Sequence, residues 1–160
     1  MDAKGFSLRP IGRVRVEDER FWLEIDAPFR GGLDKLDQFS HIITLWWAHE
    51  HDNAQSRKRI KTEIPYAGNL KAGVFACRSE YRPNPLGVTV CQILSVDMKA
   101  GIVTVPYTDA FDGTPLLDLK AYFPVSDRVR DYRVPDWVKD WPEWFEEAYK
   151  LEELFARMFS

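Results

Sequence analysis

Long apolar runs and closely spaced cysteines are both missing from this sequence of 160 residues. No stretch approaches the roughly 20 consecutive apolar residues of a membrane-spanning helix, and the amino-terminal residues lack the apolar segment of a secretory signal. Cys77 and Cys91 lie in segments that read as strands, without the close pairing of a zinc knuckle or a redox motif. These absences predict a cytoplasmic protein that does not associate with membranes and has two reduced core thiols.

An excess of positive charge is also missing, since 22 Lys and Arg face 25 Asp and Glu and the net charge is -3. Any nucleic-acid partner must therefore meet a local basic patch. The densest patch is Arg57-Lys58-Arg59-Ile60-Lys61, inside a polar segment, residues 49–62, that is long for a loop in a compact domain. The patch is either a solvated loop or a loop that contacts phosphate, so Arg57, Lys58 and Arg59 are candidate substrate contacts.

The common catalytic signatures do not occur. The sequence contains no G-x-S-x-G elbow, no phosphate-binding loop and no H-E-x-x-H helix, and no G-x-G-x-x-G motif links a strand to a helix. His49-Glu50-His51 beside Asp52 has metal-ligand chemistry, but we expect the two histidines to point to opposite sides of a strand end. No metal site is predicted, and any adenosine ligand requires a scaffold other than a Rossmann fold.

Hydrophobic residues make up 45% of the chain, which is enough to bury the core of one domain. Apolar alternation and β-branched runs predict strands over residues 11–16, 21–25, 41–47, 74–77, 88–96, 102–107 and 116–123. A short helix is predicted within residues 31–39. A carboxy-terminal amphipathic helix is predicted from Pro142, with an apolar face of Trp144, Ala148, Leu151, Phe155 and Met158. The fold class is therefore mainly β with short helices.

Two constrained turns stand out. Residues 73–87 combine Arg78, Arg82 and Asn84 with two prolines, which fix their own φ and restrict the residues before them. Arginines presented on a rigid turn suit carboxylate or phosphate recognition, although pairing with neighbouring acidic groups is the alternative. Residues 109–115 form the second turn. Its carboxylates suit a ribose or an amino group, and its amides suit adenine edges or a carboxylate.

Three ordered motifs carry a resemblance to a known family. The motifs are Gly32-Leu33-x-x-Leu36-x-x-Phe39-Ser40-His41-Ile42, then Gly73-Val74-Phe75-Ala76-Cys77-Arg78-Ser79 with Arg82-Pro83-Asn84-Pro85-Leu86-Gly87, then Asp112-Gly113-Thr114-Pro115-x-x-Asp118-x-Lys120-x-Tyr122. They resemble the TsaA-like domain of the TrmO (YaeB) family over residues 8–130. The resemblance implies a small β-barrel, a homodimer and S-adenosylmethionine as methyl donor. Residues 131–160 lie beyond the resemblance, and their helical pattern predicts an extension that packs on the barrel or at the dimer interface.

The resemblance also implies an activity and a site. In the family the methyl group goes to N6 of threonylcarbamoyl-adenosine at tRNA position 37. Expected catalytic residues are Arg82 and Asp112, and expected substrate contacts are Arg57, Lys58, Arg59, Arg82 and Asn84. The cofactor-binding residues expected from the motif positions are His49, Glu50, Arg78, Val88, Asp109, Asp112, Gly113 and Thr114.

One departure from the family leaves alternatives open. Family members carry Ser-Pro-Phe and Pro-Arg-Gln elements near the amino terminus, whereas here residues 14–25 form a charged hairpin pattern. Part of the expected donor pocket is therefore absent or rebuilt. The alternatives are a protein that binds S-adenosylmethionine without transferring its methyl group, and a methyltransferase whose acceptor is not tRNA.

Overall fold

The computed structural model describes residues 7–68 and 70–158, with side chains in the last helix as far as Ala156. Within this part of the chain, antiparallel pairing builds a sheet in the order β6-β3-β9-β1-β2-β8-β7 and a separate hairpin of β4 and β5. The strands are β1 (Gly12–Glu17), β2 (Arg20–Ile25), β3 (His41–Trp47), β4 (Lys61–Ile64), β5 (Leu70–Gly73), β6 (Leu86–Gln92), β7 (Ser95–Asp97), β8 (Ile102–Val105) and β9 (Pro115–Ala121). The α-helices are α1 (Ala54–Arg57), α2 (Pro124–Asp127) and α3 (Lys150–Met158).

The amino-terminal hairpin forms as its alternation predicts. Val14 and Leu23 are cross-strand partners, and both are fully buried. The turn between the strands places Asp18 and Glu19 in the left-handed region, at φ 48° and 59°. One face of β1 and β2 therefore supplies the centre of the core, while the charged turn stays in solvent.

The sheet curls because its two edge strands are consecutive in the chain. β6 ends beside β3 and β7 begins beside β8. The amide of Ile93 donates to the Ser40 carbonyl at 2.8 Å, and the amide of Leu94 donates to the Thr104 carbonyl at 2.9 Å. This corner brings opposite ends of the sheet together. The predicted small, mainly β fold is confirmed, in a barrel-like form with β6 and β7 as edges.

Five local predictions are wrong in their details. The single strand predicted over residues 88–96 is divided into β6 and β7 by the corner described above. Residues 74–77 are not a strand, since Val74–Ala76 is a 3₁₀ turn, and Cys77 after it is half-buried. The helix within residues 31–39 is two 3₁₀ turns, because Lys35 between them takes a left-handed φ of 68°. The polar segment 49–62 contains α1, whose first turn is capped by the Asn53 side chain. The last helix begins at Lys150 rather than at Pro142, since Trp144 has an extended backbone and Phe145–Glu147 is a 3₁₀ turn.

The second cysteine fits its prediction. Cys91 lies on the core face of β6 and is 1% exposed. Burial raises the pKa of its thiol to about 11, so the thiol is protonated at neutral pH.

The chain divides into two compact units. The first comprises residues 1–59 and 78–128 and, from residue 7 onward, contains the seven-stranded sheet. The second comprises residues 60–77 and 129–160 and contains the β4–β5 hairpin, α3 and an aromatic cluster of Tyr66, Trp141 and Phe155. How the 131–160 extension packs on the barrel or on a second copy stays a prediction. None of the described helices is long and apolar enough to cross a membrane.

Candidate functional site

A cavity of about 610 Å³ opens in the first unit. Its volume is within the range of small-molecule and cofactor sites. The residues that line it come from the end of β3, the start of β6 and three connecting turns. They are Trp46, Ala48, His49, Glu50, His51, Arg78, Glu80, Arg82, Leu86, Gly87, Val88, Asp109, Phe111 and Thr114.

Antiparallel pairing of β3 with β6 explains why these segments meet. The last residues of β3 lie opposite the first residues of β6, so the turn after one strand adjoins the turn before the other. The amide of Ala48 donates to the Pro85 carbonyl at 2.8 Å and joins the two turns directly. The arginines of the proline-rich turn and the 3₁₀ turn His49–His51 therefore line the same cavity.

Gly87 lets the indole of Trp46 lie flat on the adjacent strand. The two residues are cross-strand partners, and a Cβ on Gly87 would lie 2.2 Å from the nearest indole atom. Only glycine leaves room for the ring at this distance. Both residues line the cavity, so this contact sets the shape of its wall.

Asp109 is oriented by two hydroxyl donors. Its Oδ2 accepts from the Thr89 hydroxyl at 2.9 Å, and its Oδ1 accepts from the Tyr107 hydroxyl at 3.1 Å. The Thr89 oxygen in turn accepts from the Trp46 indole N–H at 3.1 Å. One hydroxyl beneath the cavity thus connects two of the groups that line it.

A layered stack of rings stands beside the cavity. His51 stacks on Tyr81, with ring centroids 4.9 Å apart and planes inclined by 11°, and its Nε2 lies 3.2 Å from Glu80. Phe111 meets the same imidazole edge-on at 6.4 Å, and the Arg59 guanidinium lies 5.0 Å from the Tyr81 ring centroid. The stack leads from the cavity to the basic segment.

Arg57 is held by an acidic partner. Its Nη2 lies 3.0 Å from Asp52 Oδ2, its Nε donates to the other carboxylate oxygen, and its guanidinium lies over the Trp47 ring at 5.4 Å. The Trp47 indole also donates to Asp52 at 2.9 Å. The hydrogen bond from Arg57, and to a lesser extent the one from Trp47, holds the pKa of the Asp52 carboxyl below its ordinary value.

This pairing predicts a pH-dependent contribution to stability. A carboxyl whose pKa is lower in the folded state stabilises fully above its ordinary pKa, and the contribution is lost as the pH falls through the folded-state pKa. When the pH is lowered from 7 to about 3, the free energy of unfolding should therefore decrease more for the native protein than for the Asp52→Asn variant. The difference should be at most about 1 kcal/mol, because the pair is partly exposed. Urea denaturation at both pH values measures it, and equal losses would contradict it.

The structure gathers many of the expected site residues and leaves others outside the cavity. Those in the lining are His49, Glu50, Arg78, Arg82, Val88, Asp109 and Thr114. Those not in the lining are Arg57, Lys58, Arg59, Asn84, Asp112 and Gly113. The expected roles of both groups stay predictions.

Asp112 and Gly113 attach the second turn to β1. Oδ1 of Asp112 accepts from the Val16 amide at 2.9 Å and from Arg15 Nε at 3.0 Å, and these bonds hold the pKa of this carboxyl low. The Gly113 amide donates to the Val14 carbonyl at 2.8 Å, with φ at +76°. Asp112 therefore anchors the loop that carries the lining residues Asp109 and Thr114.

Sequence reasoning did not predict half of the lining. The residues it missed are Trp46, Ala48, His51, Glu80, Leu86, Gly87 and Phe111. Glu80 lies between the two predicted arginines and Phe111 lies between the two predicted aspartates, so proximity in sequence was the signal available for both.

The expectation for the two histidines is wrong. They belong to a 3₁₀ turn rather than to a strand end, and both His49 and His51 line the cavity. Across the described residues, no group of three or more His, Cys, Asp or Glu side chains is arranged to hold a metal ion.

Comparison with known proteins supports the family expected from the motifs. Residues 7–128 match the tRNA-methyltransferase O N-terminal domain. A probable S-adenosyl-L-methionine-binding protein of Pyrococcus abyssi is 34% identical over 154 residues, which are 94% of this chain and 76% of the relative. An S-adenosyl-L-methionine-binding protein of Archaeoglobus fulgidus is 35% identical over 139 residues, which are 76% of this chain and 93% of the relative.

A solved structure agrees with these relatives. The crystal structure of TrmO from Pseudomonas aeruginosa matches with a TM-score of 0.62 and 29% identity, over 81% of this chain and 61% of that one. This chain thus spans about three fifths of that TrmO chain.

The match to a tRNA-methyltransferase domain and the relatives named for binding S-adenosylmethionine place this chain in the class of S-adenosylmethionine-dependent methyltransferases. The volume of the cavity suits a cofactor of this size. Within this class, the chain belongs to the family of the tRNA-methyltransferase O (TrmO) N-terminal domain. The family and the type of cofactor predicted from the motifs are confirmed.

Proposed function

We propose that this chain binds S-adenosylmethionine in the cavity of its first unit and methylates N6 of threonylcarbamoyl-adenosine at position 37 of tRNA. The observation that carries the proposal is the convergence of three separate segments of the chain, two of which overlap the family motifs, on one cavity. Residues 49–50, 78–88 and 109–114 contribute seven expected site residues to its lining.

The donor set of the cavity fits this cofactor. Arg78 supplies a planar guanidinium that suits the amino-acid carboxylate, and Glu50 and Asp109 supply acceptors for an ammonium or for ribose hydroxyls. Phe111 offers a 57% exposed ring as an apolar surface. When bound, S-adenosylmethionine supplies an electrophilic methyl group on a sulfonium. The protein's part is alignment of the acceptor with the sulfur–methyl bond, because an in-line displacement requires no covalent enzyme intermediate.

The basic segment supports an RNA acceptor. Arg59 lies against Tyr81 in the layered stack, and Arg57, Lys58 and Arg59 are all outside the lining of the cavity. Lysine and arginine contacts to phosphate position a nucleic acid without reading its sequence. Arg57 is already paired with Asp52, so we assign the main phosphate contacts to Lys58 and Arg59.

The acceptor is tested by methyl transfer to defined tRNAs. Purified protein and S-adenosylmethionine are incubated with tRNA that carries threonylcarbamoyl-adenosine and with the same tRNA lacking it, and nucleosides are identified by mass spectrometry. The expected product is the N6-methylated form in the modified tRNA alone. Transfer to another acceptor would replace tRNA in the proposal, and cofactor binding with no transfer would favour a protein that only binds S-adenosylmethionine.

Replacement of Arg78 tests the cofactor site separately from the acceptor. Arg78→Ala should raise the dissociation constant for S-adenosylmethionine at least about tenfold, because a charged hydrogen bond to the carboxylate is lost. Isothermal titration measures this change. Arg20→Ala is the matched control, since Arg20 is an exposed residue at the start of β2 that does not line the cavity, and its replacement should leave the affinity unchanged. Equal affinities for both variants would remove Arg78 from the site.

We also propose that the protein is a homodimer, as expected from the family resemblance. The second unit exposes large apolar side chains, with Phe75 88% and Tyr149 65% accessible. Exposed aromatic side chains in one small unit suit an interface between copies. Sedimentation velocity tests the proposal, and a single species at the 18.7 kDa of one chain would reject it.

A further inference from the structure

We propose that Thr89 is a positioning residue of the cofactor site, acting through Asp109 and Trp46 although it does not line the cavity. The inference rests on the proposed binding of S-adenosylmethionine in this cavity. It begins from two buried threonines that face each other on neighbouring strands.

Thr44 and Thr89 are directly opposite partners on β3 and β6, and they are 0% and 7% exposed. A buried hydroxyl costs free energy unless it is hydrogen-bonded, so a buried threonine in place of valine calls for a partner. The two residues differ in what they contact. Thr44 donates to the backbone carbonyl of Thr89 at 3.0 Å, which is a bond within the sheet.

Thr89 instead contacts the cavity wall through its side chain. Its hydroxyl donates to Asp109 and accepts the indole N–H of Trp46, so the donor and acceptor capacities of one oxygen are both used. This hydroxyl is therefore oriented by the two contacts together. A carboxylate and an indole on separate elements are held in one fixed relation.

The arrangement defines what Asp109 can bind. A carboxylate has about four lone-pair sites, and two of them accept from Thr89 and Tyr107. One site on each oxygen remains for a ligand. Two adjacent acceptors in a fixed plane match two adjacent hydroxyl donors, so we assign Asp109 to the vicinal diol of the cofactor's ribose. Thr89 fixes the rotation of the carboxylate that presents these acceptors.

The test compares isosteric variants of the two opposed threonines in the full chain. Thr89→Val should raise the dissociation constant for S-adenosylmethionine about tenfold in isothermal titration, because the carboxylate loses a donor and the indole loses its acceptor. Thr89→Ser, which keeps the hydroxyl, should remain within about twofold of the native protein. Thr44→Val is the matched control and should also remain within about twofold.

A double-mutant cycle separates positioning from general packing. In an Asp109→Asn background, titrated at millimolar ligand, Thr89→Val should lower the affinity by a smaller factor than it does in the native protein, because one of the two groups that Thr89 orients is already altered. Thr89→Ala is measured beside Thr89→Val, so that a folding defect specific to valine does not decide the result.

The outcomes are distinct. Native-like affinity in both Thr89→Val and Thr89→Ala overturns the inference. It is also overturned if Thr89→Val lowers the affinity by the same factor in the native and the Asp109→Asn backgrounds. No binding of S-adenosylmethionine to the native protein would instead overturn the proposed cofactor site itself.

Discussion

Gly87→Ala should weaken S-adenosylmethionine binding at least about tenfold and destabilise the fold by about 1–3 kcal/mol. The added methyl group would lie 2.2 Å from the Trp46 indole, so the ring or the strand must move. Movement of the indole changes the cavity wall and breaks its bond to Thr89. Isothermal titration and urea denaturation measure the two effects.

Gly31→Ala is the control for this substitution. A Cβ at Gly31 meets nothing within 4 Å, so alanine there adds a methyl group without a collision. Its affinity and stability should match those of the native protein. If Gly87→Ala behaved like Gly31→Ala, the tight contact with Trp46 would have no role in the site.

Leu23→Ala should lower the free energy of unfolding by about 2–5 kcal/mol. Leu23 is fully buried on β2, between β1 and β8, so truncation removes apolar contacts and leaves a cavity at the centre of the core. Urea denaturation followed by circular dichroism measures the loss.

Leu94→Ala provides the comparison, because Leu94 is 55% exposed at the corner between β6 and β7. This variant should lose less than about 0.5 kcal/mol of unfolding free energy. Similar losses for Leu23→Ala and Leu94→Ala would mean that the core is not centred on the amino-terminal hairpin.

Local patterns predicted the elements best where one face of a strand is buried. The hairpin of β1 and β2 alternates apolar and charged residues, and both strands occur within one residue of the predicted bounds. The side-chain pattern predicted the secondary structure less well where an uncommon backbone conformation interrupts an element. The apolar residues of the segment 31–39 are spaced three apart, as in a helix, but Lys35 between them has a left-handed backbone conformation. No side-chain pattern predicts that conformation.

The sequence predicted residues that line the candidate site, but it did not predict the residue behind them that holds two of the lining side chains in place. Arg78 and Asp109 belong to constrained turns, which the sequence marks with proline, glycine and paired charges. No sequence feature distinguishes Thr89, because β-branched residues are common inside strands. Its contacts with Trp46 and Asp109 link positions 43 and 20 residues away, and only the folded chain brings them together.

The sequence by itself determined the class of fold, the amino-terminal hairpin and the family, because these depend on alternation and on motifs of neighbouring residues. The tertiary structure decided the sheet order, the corner between Ile93 and Leu94 and the cavity. These features depend on pairing between distant strands. The physical reason is that β-sheet hydrogen bonds and buried contacts join residues far apart in the chain, and local pattern does not specify which distant partner each strand takes.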